Sequence, residues 1–235
     1  MRRTVHTDRE RFRAVAAEAP DGARVPVELR VPVDDPFAAY RRARDGPGGV
    51  FYETTGGQSG WGYFGVEPIE RLTVSGAAVV AGAGDPTGPE GGDGAGRAGD
   101  YRRPSPSLAA LEGVIDGERL VRGDCEVPYP CGAFGWLSYD VARELEDFPI
   151  AAPDGPGAVD DRGLPRLQAA LFDRIAAWEC PVDADGATGG EAEEDDETVT
   201  LRVTACPRVP AGLDDAEADR DALDALFDEG RARAG

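Results

Sequence analysis

The sequence contains no lysine and only one histidine. All 25 basic residues are arginine, and 45 Asp and Glu residues give a formal net charge of -20 and an isoelectric point near 4.4. Without a basic patch to neutralise phosphates, we expect no nucleic-acid partner. The composition is typical of proteins from a high-salt cytoplasm, where surface carboxylates hold hydrated cations and salt screens their repulsion. The charge therefore reports on the solvent more than on the function.

Metal-binding and membrane-spanning patterns are also missing. The single histidine, His6, lies in a charged segment where we expect it to be solvated, and the cysteines show no CxxC spacing. The acidic run 191–197 is interpreted as a solvated loop rather than a metal site. Met1 is followed by polar residues and no stretch is long and apolar enough for a membrane. We expect a cytoplasmic protein with no membrane partner. We expect the thiols of its four cysteines to be reduced. These are Cys125, Cys131, Cys180 and Cys206.

The most informative stretch is Val50–Pro68. It contains two runs of strand-forming residues, Val50–Tyr52 and Trp61–Phe64, joined by eight residues with paired glycines, and this pattern predicts a hairpin. Glu53 and Thr54 follow the first strand, where a carboxylate and a hydroxyl suit the capture of an amino group. The structural alternative is a hairpin with polar residues at its mouth.

A second informative stretch is Pro128–Asp140. Gly132 and Gly135 flank an aromatic strand, which indicates that another backbone or a ligand approaches closely. Asp140 is predicted to cap a helix over residues 141–147. Both a functional turn at Tyr139 and Asp140 and simple core packing of the aromatic residues explain this pattern.

The remaining elements follow from periodicity and capping signals. Prolines 26 and 32 favour an edge position for the first long strand, and residues 82–104 are predicted to form a flexible loop. The fold class is α+β, mostly antiparallel sheet with packed helices. Helices are predicted over 8–19, 36–44, 107–115 and 213–229, and strands over 25–33, 167–178 and 198–205. Residues 69–81 are predicted to form one or two further strands around Ser75 and Gly76.

These segments together resemble the amino-terminal region of anthranilate synthase component I, a chorismate-utilising enzyme family. The tetrapeptide 51–54, FYET, stands where the family has LLES, and Gly65-x-x-Pro68 matches the end of its RYSFIG-x-x-P segment. Pro128–Asp140 matches G-x-x-GY-x-x-YD, and Phe172–Arg174 stands where FDH-like residues occur. The order and spacing agree over roughly residues 25 to 180. The arginine of RYSFIG is replaced here, and Thr54 stands for the LLES serine.

The resemblance implies that residues 1–180 form the amino-terminal domain of an α/β sandwich. Residues 181–235 would be an acidic loop, a strand and a helix that lead toward a missing catalytic half. In the family, that carboxy-terminal half binds chorismate and Mg2+, so this chain alone is expected to have no catalytic residues and to bind no metal or cofactor. The complete enzyme would form anthranilate and pyruvate from chorismate in tryptophan biosynthesis. A glutamine amidotransferase subunit, component II, would supply the ammonia.

The resemblance also implies a regulatory role for the hairpin. Glu53 would bind the amino group of the feedback inhibitor tryptophan, and Thr54 would add a hydrogen bond. Three alternatives stay open: a fragment of aminodeoxychorismate synthase component I, a non-catalytic amino-acid-binding module, and a piece that does not fold without its other half.

Overall fold

The structure of the chain is a computed structural model that describes residues 3–55, 58–78, 105–146, 162–181, 198–213 and 216–235. The chain divides into two compact units. The first contains Met1–Glu70, Gly117–Phe134 and Ala170–Gly235, and the second contains Arg71–Asp116 and Gly135–Ala169. The predicted loop 82–104 and the acidic run 191–197 lie outside the described residues. The predicted division at residue 180 stays a prediction.

The described residues contain antiparallel sheets of six and three strands with α-helices, so the predicted α+β class is confirmed. The strand orders are β1-β2-β9-β8-β4-β3 and β5-β7-β6. The strands are β1 Thr4–Val5, β2 Val27–Val33, β3 Val50–Tyr52, β4 Gly60–Gly65, β5 Glu70–Val74, β6 Gly132–Leu137, β7 Leu167–Phe172, β8 Arg174–Cys180 and β9 Val199–Ala205. The helices are α1 Arg9–Glu18, α2 Pro36–Ala43, α3 Pro106–Ile115, α4 Ala142–Leu145 and α5 Ala216–Ala234.

Side-chain caps begin three of the helices. The Asp35 carboxylate accepts from the backbone N–H groups of Phe37 and Ala38 at 2.8 and 3.0 Å, and Pro36 occupies the first turn, as predicted. Asp8 and Ser105 cap α1 and α3 in the same way. These local signals explain why the predicted helix starts agree with the structure to within a few residues.

Helices α1 and α5 enclose one core of the first unit. Phe12 of α1 meets Phe227 of α5 edge to face, with ring centroids 5.5 Å apart, and Leu223 is buried in the same cluster. Arg9 pairs with Asp224 and Asp228 across the two helices. The few apolar residues of α5 are therefore used to pack it within the first unit.

A second core is centred on Trp178 of β8, which is only 2% exposed. Its ring lies 5.3 Å from that of Phe51 and 6.2 Å from that of Phe64, between centroids. Gly62 of β4 stands directly opposite Trp178 in the ladder, and a Cβ atom added there would overlap the indole ring. The strand pairing therefore requires glycine at position 62 because the indole occupies the space of a side chain.

The structure corrects the prediction of one strand over 167–178. The chain forms two strands in different sheets, β7 and β8, separated by Asp173. The Asp173 carboxylate is almost buried and pairs with Arg24 at 3.5 Å and with Arg233 at 2.6 Å. The break occurs because this side chain meets two cations that are distant in sequence.

The predicted edge position of β2 is also wrong. Strand β2 lies between β1 and β9, and it pairs with β9 along its whole length. The two-residue strand β1 covers only Leu29 and Arg30, however, so Pro32 lies beyond the pairing on that side. Its missing N–H therefore costs no hydrogen bond to β1.

We predict that Gly62→Ala lowers the free energy of unfolding by about 1–3 kcal/mol, because the added methyl group overpacks the contact with Trp178. Chemical denaturation measures this change. Gly46→Ala is the matched control, since a Cβ atom at Gly46 meets nothing within 4 Å. Equal stability of the two variants would contradict the proposed contact.

Candidate functional site

The candidate site is the mouth of the β3–β4 hairpin, which the sequence predicted. Val50 pairs with Gly65 and Tyr52 with Tyr63, so the two strands run antiparallel in register. Strand β8 follows on the other side of β4, with Cys180 opposite Gly60. The hairpin prediction is confirmed, while the glycine pair 56–57 lies outside the described residues.

Thr54 closes the hairpin with its side chain. The hydroxyl donates to the carbonyl of Trp61 at 3.1 Å and accepts from the N–H of Trp61 at 3.2 Å. The hydroxyl thus extends the ladder beyond the last paired strand residues. A Cβ atom at Gly60 would overlap Thr54, so Gly60 gives the threonine the space to reach Trp61.

Glu53 lies beside Thr54 and is exposed. Its Oε1 accepts from the indole Nε1–H of the buried Trp178 at 3.4 Å, a long hydrogen bond. In the described part of the chain, Glu53 forms no ion pair. The carboxylate is therefore placed by the core on one side and keeps hydrogen-bonding capacity for a cationic group on the other.

Cys180 completes the surroundings of the two predicted residues. Burial raises the pKa of its thiol; a hydrogen bond with the backbone of Thr54 opposes this effect, and the Glu53 carboxylate adds to it. The site therefore combines a carboxylate, a hydroxyl already used by the backbone, an indole and a neutral thiol. Sequence reasoning did not find Trp178 and Cys180, because only the register of β4 on β8 brings them to Glu53.

In the second predicted stretch, the residue that caps the helical segment after β6 differs from the one that the sequence predicted. Ser138, not Asp140, caps the short helical segment that follows, since its hydroxyl accepts from the N–H of Asp140 at 3.1 Å. The Asp140 carboxylate instead accepts from Arg143 at 2.8 Å. The predicted close approach is confirmed at Gly135, where a Cβ atom would overlap the backbone at Gln168, but it is wrong for Gly132, where a Cβ atom would meet nothing within 4 Å. Gly132 instead has a positive φ of 131°.

The predicted helix over 141–147 is shorter than expected, with a 3-10 turn over Tyr139–Val141 followed by α4. Its Glu144 is buried and accepts from the Ser107 N–H and hydroxyl, both at 2.9 Å, from Arg166 at 3.0 Å and from Ser105. The carboxylate thereby satisfies the first turn of α3. These four hydrogen bonds hold the Glu144 carboxylate within the second unit, while Arg166 Nε is buried without a hydrogen-bond partner among the described residues. Because the bonds from Ser105 and Ser107 hold the start of α3 in place, we interpret the cluster as structural.

Neither metal nor membrane binding gains support from the geometry. Among the described residues, no three His, Cys, Asp or Glu side chains are grouped so that they could hold a metal ion. Within the same residues, no helix is both long enough and apolar enough to cross a bilayer. His6 Nε2 lies 2.9 Å from a guanidinium nitrogen of Arg30 and not in any such group.

The fold and the hairpin define an α+β chain with a polar site at one sheet end, and two curated proteins that resemble it share one name. No protein-family profile matches the sequence. The chain is 54% identical over 206 residues, 88% of its length, to anthranilate synthase component 1 1 of Haloarcula marismortui. It is 52% identical over 211 residues to anthranilate synthase component 1 3 of the same organism.

The resemblance to anthranilate synthase component 1 is therefore confirmed. The chain spans about a third of the length of the curated relatives it matches, 33% and 34% respectively. The similarity covers nearly all of the present sequence.

We predict that Thr54→Val lowers the free energy of unfolding by about 1–2 kcal/mol, because valine keeps the shape but loses both hydrogen bonds to Trp61. Thr54→Ser keeps the hydroxyl and is the matched control. Denaturant titration of the three proteins measures the effect. If valine and serine were equivalent at this position, the hydroxyl would not close the hairpin.

A second prediction concerns acid stability. Burial raises the pKa of Glu144, but the hydrogen bonds from Ser105, Ser107 and Arg166 outweigh it and leave the pKa below its usual range. Because the folded pKa is the lower one, this stabilisation is present above the unfolded pKa and is lost as the pH falls through the folded value. Glu144→Gln should therefore flatten the fall in unfolding free energy as the pH drops below about 4.5.

The matched control for this experiment is Glu146→Gln, since Glu146 is an exposed carboxylate two residues further along the chain. The control should keep the slope of the unmodified protein. The same slope in the Glu144 variant would show that the buried cluster does not favour the ionised carboxylate.

Proposed function

We propose that this chain is the amino-terminal part of anthranilate synthase component I and carries part of its tryptophan feedback site. The observation that supports this most directly is the identity of 54% over 88% of the chain to a protein of that name. Both relatives are named anthranilate synthase, which favours anthranilate over the aminodeoxychorismate alternative. The complete enzyme would act in tryptophan biosynthesis and convert chorismate and ammonia to anthranilate and pyruvate.

The catalytic chemistry would reside in the part of the enzyme that this chain does not span. Mg2+ supplies a Lewis acid for the substrate carboxylate in this chemistry. The described residues contain no group of three metal-ligating side chains, so they do not fit a metal site, and we assign them no step that uses the ion. Chorismate and Mg2+ would bind in the remaining two thirds of the protein, and the component II amidotransferase would supply the ammonia.

The contribution of this chain would be regulatory. The carboxylate of Glu53 is exposed, is oriented by Trp178 and forms no ion pair among the described residues, so it suits the ammonium group of a free amino acid. The Thr54 hydroxyl already bonds both backbone groups of Trp61. We therefore assign Thr54 chiefly to the shape of the hairpin, with its remaining lone pair available to the ligand.

The activity proposal is tested with a chimera in which this chain replaces the corresponding third of one Haloarcula relative. Anthranilate fluorescence, measured with chorismate, ammonium and Mg2+ in concentrated salt, reports turnover. We expect the chimera to be active and the chain alone to be silent. A folded chimera without turnover would contradict the proposed enzyme, and turnover by the chain alone would contradict the assignment of the chemistry to the other part.

The regulatory proposal is tested in the same chimera. Glu53→Gln should raise the tryptophan concentration for half-inhibition by roughly tenfold or more, because it removes a charge-assisted hydrogen bond. Glu179→Gln is the matched control, since Glu179 lies next to Trp178 in β8 but pairs with Arg202. If tryptophan inhibited the Glu53→Gln chimera as strongly as the unmodified one, the role of Glu53 would be refuted while the enzyme assignment stayed intact.

A further inference from the structure

Two cysteine thiols of the first unit lie next to one another. Cys206 follows β9 and is fully buried, and its Sγ–H donates to the carbonyl of Pro130 at 3.4 Å. Cys131 is the residue after Pro130 and is half-buried. Since a carbonyl oxygen lies about 3 Å from the next Cα atom, the Cα of Cys131 is within roughly 6 Å of Cys206 Sγ. The two thiols are close enough that each changes the pKa of the other.

The surrounding backbone holds this pair in place. The Pro130 carbonyl also accepts from the Thr204 hydroxyl at 2.6 Å. The N–H of Cys206 donates to the Asp173 carbonyl at 2.7 Å, and the carbonyl of Cys206 accepts from Arg24 at 3.0 Å. The Cys206 sulfur thus lies roughly 6 Å or less from the Cα of Cys131, and a rotation of the Cys131 side chain can bring its own sulfur toward Cys206, as a disulfide requires.

The two thiols differ in their readiness to ionise. The hydrogen bond from Cys206 lowers the pKa of Cys131, burial opposes this effect, and the Arg24 guanidinium adds to the lowering. Burial raises the pKa of Cys206 well above its usual range, and the neighbouring Cys131 adds to this. Cys131 is therefore the thiol that can become an attacking thiolate, and it is also the one that solvent reaches.

We propose that Cys131 and Cys206 are a redox-reactive pair that forms a reversible disulfide by exchange with a small-molecule disulfide. The thiolate of Cys131 attacks one sulfur of the small disulfide and releases a small thiolate. The sulfur of Cys206 then attacks Cys131 Sγ, the mixed disulfide breaks, and the Cys206 proton passes to the second small thiolate. The pair loses two electrons, and the small disulfide gains them as two thiol groups.

The bond would join the segment before β6 to the end of β9. It would close a loop of roughly 75 residues, so the chain-entropy model predicts that oxidation raises Tm by several degrees. The other cysteines lack this arrangement. Burial raises the pKa of Cys125 to about 11, and the pKa of Cys180 is also raised by burial, so neither is a ready nucleophile.

The test treats the folded chain with oxidised glutathione, blocks free thiols with iodoacetamide in denaturant, and maps the peptides by mass spectrometry. We expect the free thiols to fall from four to two, with a Cys131–Cys206 linkage that dithiothreitol reverses. A linkage that involves Cys125 or Cys180 instead, or four thiols that all remain free, would overturn the proposal.

Serine variants of single cysteines test which thiols react. Cys131→Ser should abolish the loss of two thiols and the rise in Tm, whereas Cys180→Ser should retain both. A Cys131 variant that still forms an intramolecular disulfide would overturn the proposal. If the serine variant fails to fold, the peptide map of the unmodified chain decides the question by itself.

Discussion

The close approach of β4 to the indole of Trp178 is the contact on which the candidate site depends. Gly62 leaves room for the ring, and Phe51 and Phe64 pack against it, which fixes the pairing of β4 with β8. A register shift of one residue would place a side chain where the indole lies. It would also move the buried side chains of the shifted strand to the opposite face of the sheet. The indole N–H reaches Glu53 because of this register. The position of the carboxylate is thus a consequence of core packing.

Local signals predicted much of the fold, because caps and turns depend on neighbours in sequence. The Asp35–Pro36 helix start and the β3–β4 hairpin are examples. The break at Asp173 could not be predicted in this way, since it depends on Arg24 and Arg233, which come from distant parts of the chain. At the candidate site, the sequence singled out Glu53 and Thr54, and their role in binding stays a prediction. The hydrogen bonds that give the two residues different roles, from Trp178 to Glu53 and between Thr54 and Trp61, depend on how β4 pairs with its neighbouring strands. The pairing of β4 with β8 could not be predicted from the sequence.

The excess of acidic residues affects the surface of the protein, whereas the ion pairs of Arg24 connect buried parts of the fold. The net charge of -20 is a property of the surface, where concentrated salt screens it. The buried Arg24, by contrast, pairs with Glu118 and Asp173 and donates to the carbonyl of Cys206. Its planar guanidinium makes these contacts from two nitrogen atoms held in a rigid fork, a geometry that the single ammonium of lysine does not offer. This network connects the break between β7 and β8 to the proposed thiol pair.

We propose that this chain is one part of a longer chorismate-utilising enzyme. The most direct test is the nucleotide sequence that follows the codon for Gly235 in the genome that encodes it. The account predicts a continuation, in frame or as a neighbouring gene, that encodes the chorismate- and Mg2+-binding part of anthranilate synthase component I. A stop codon followed by unrelated sequence would contradict it and would favour an amino-acid-binding module that acts alone.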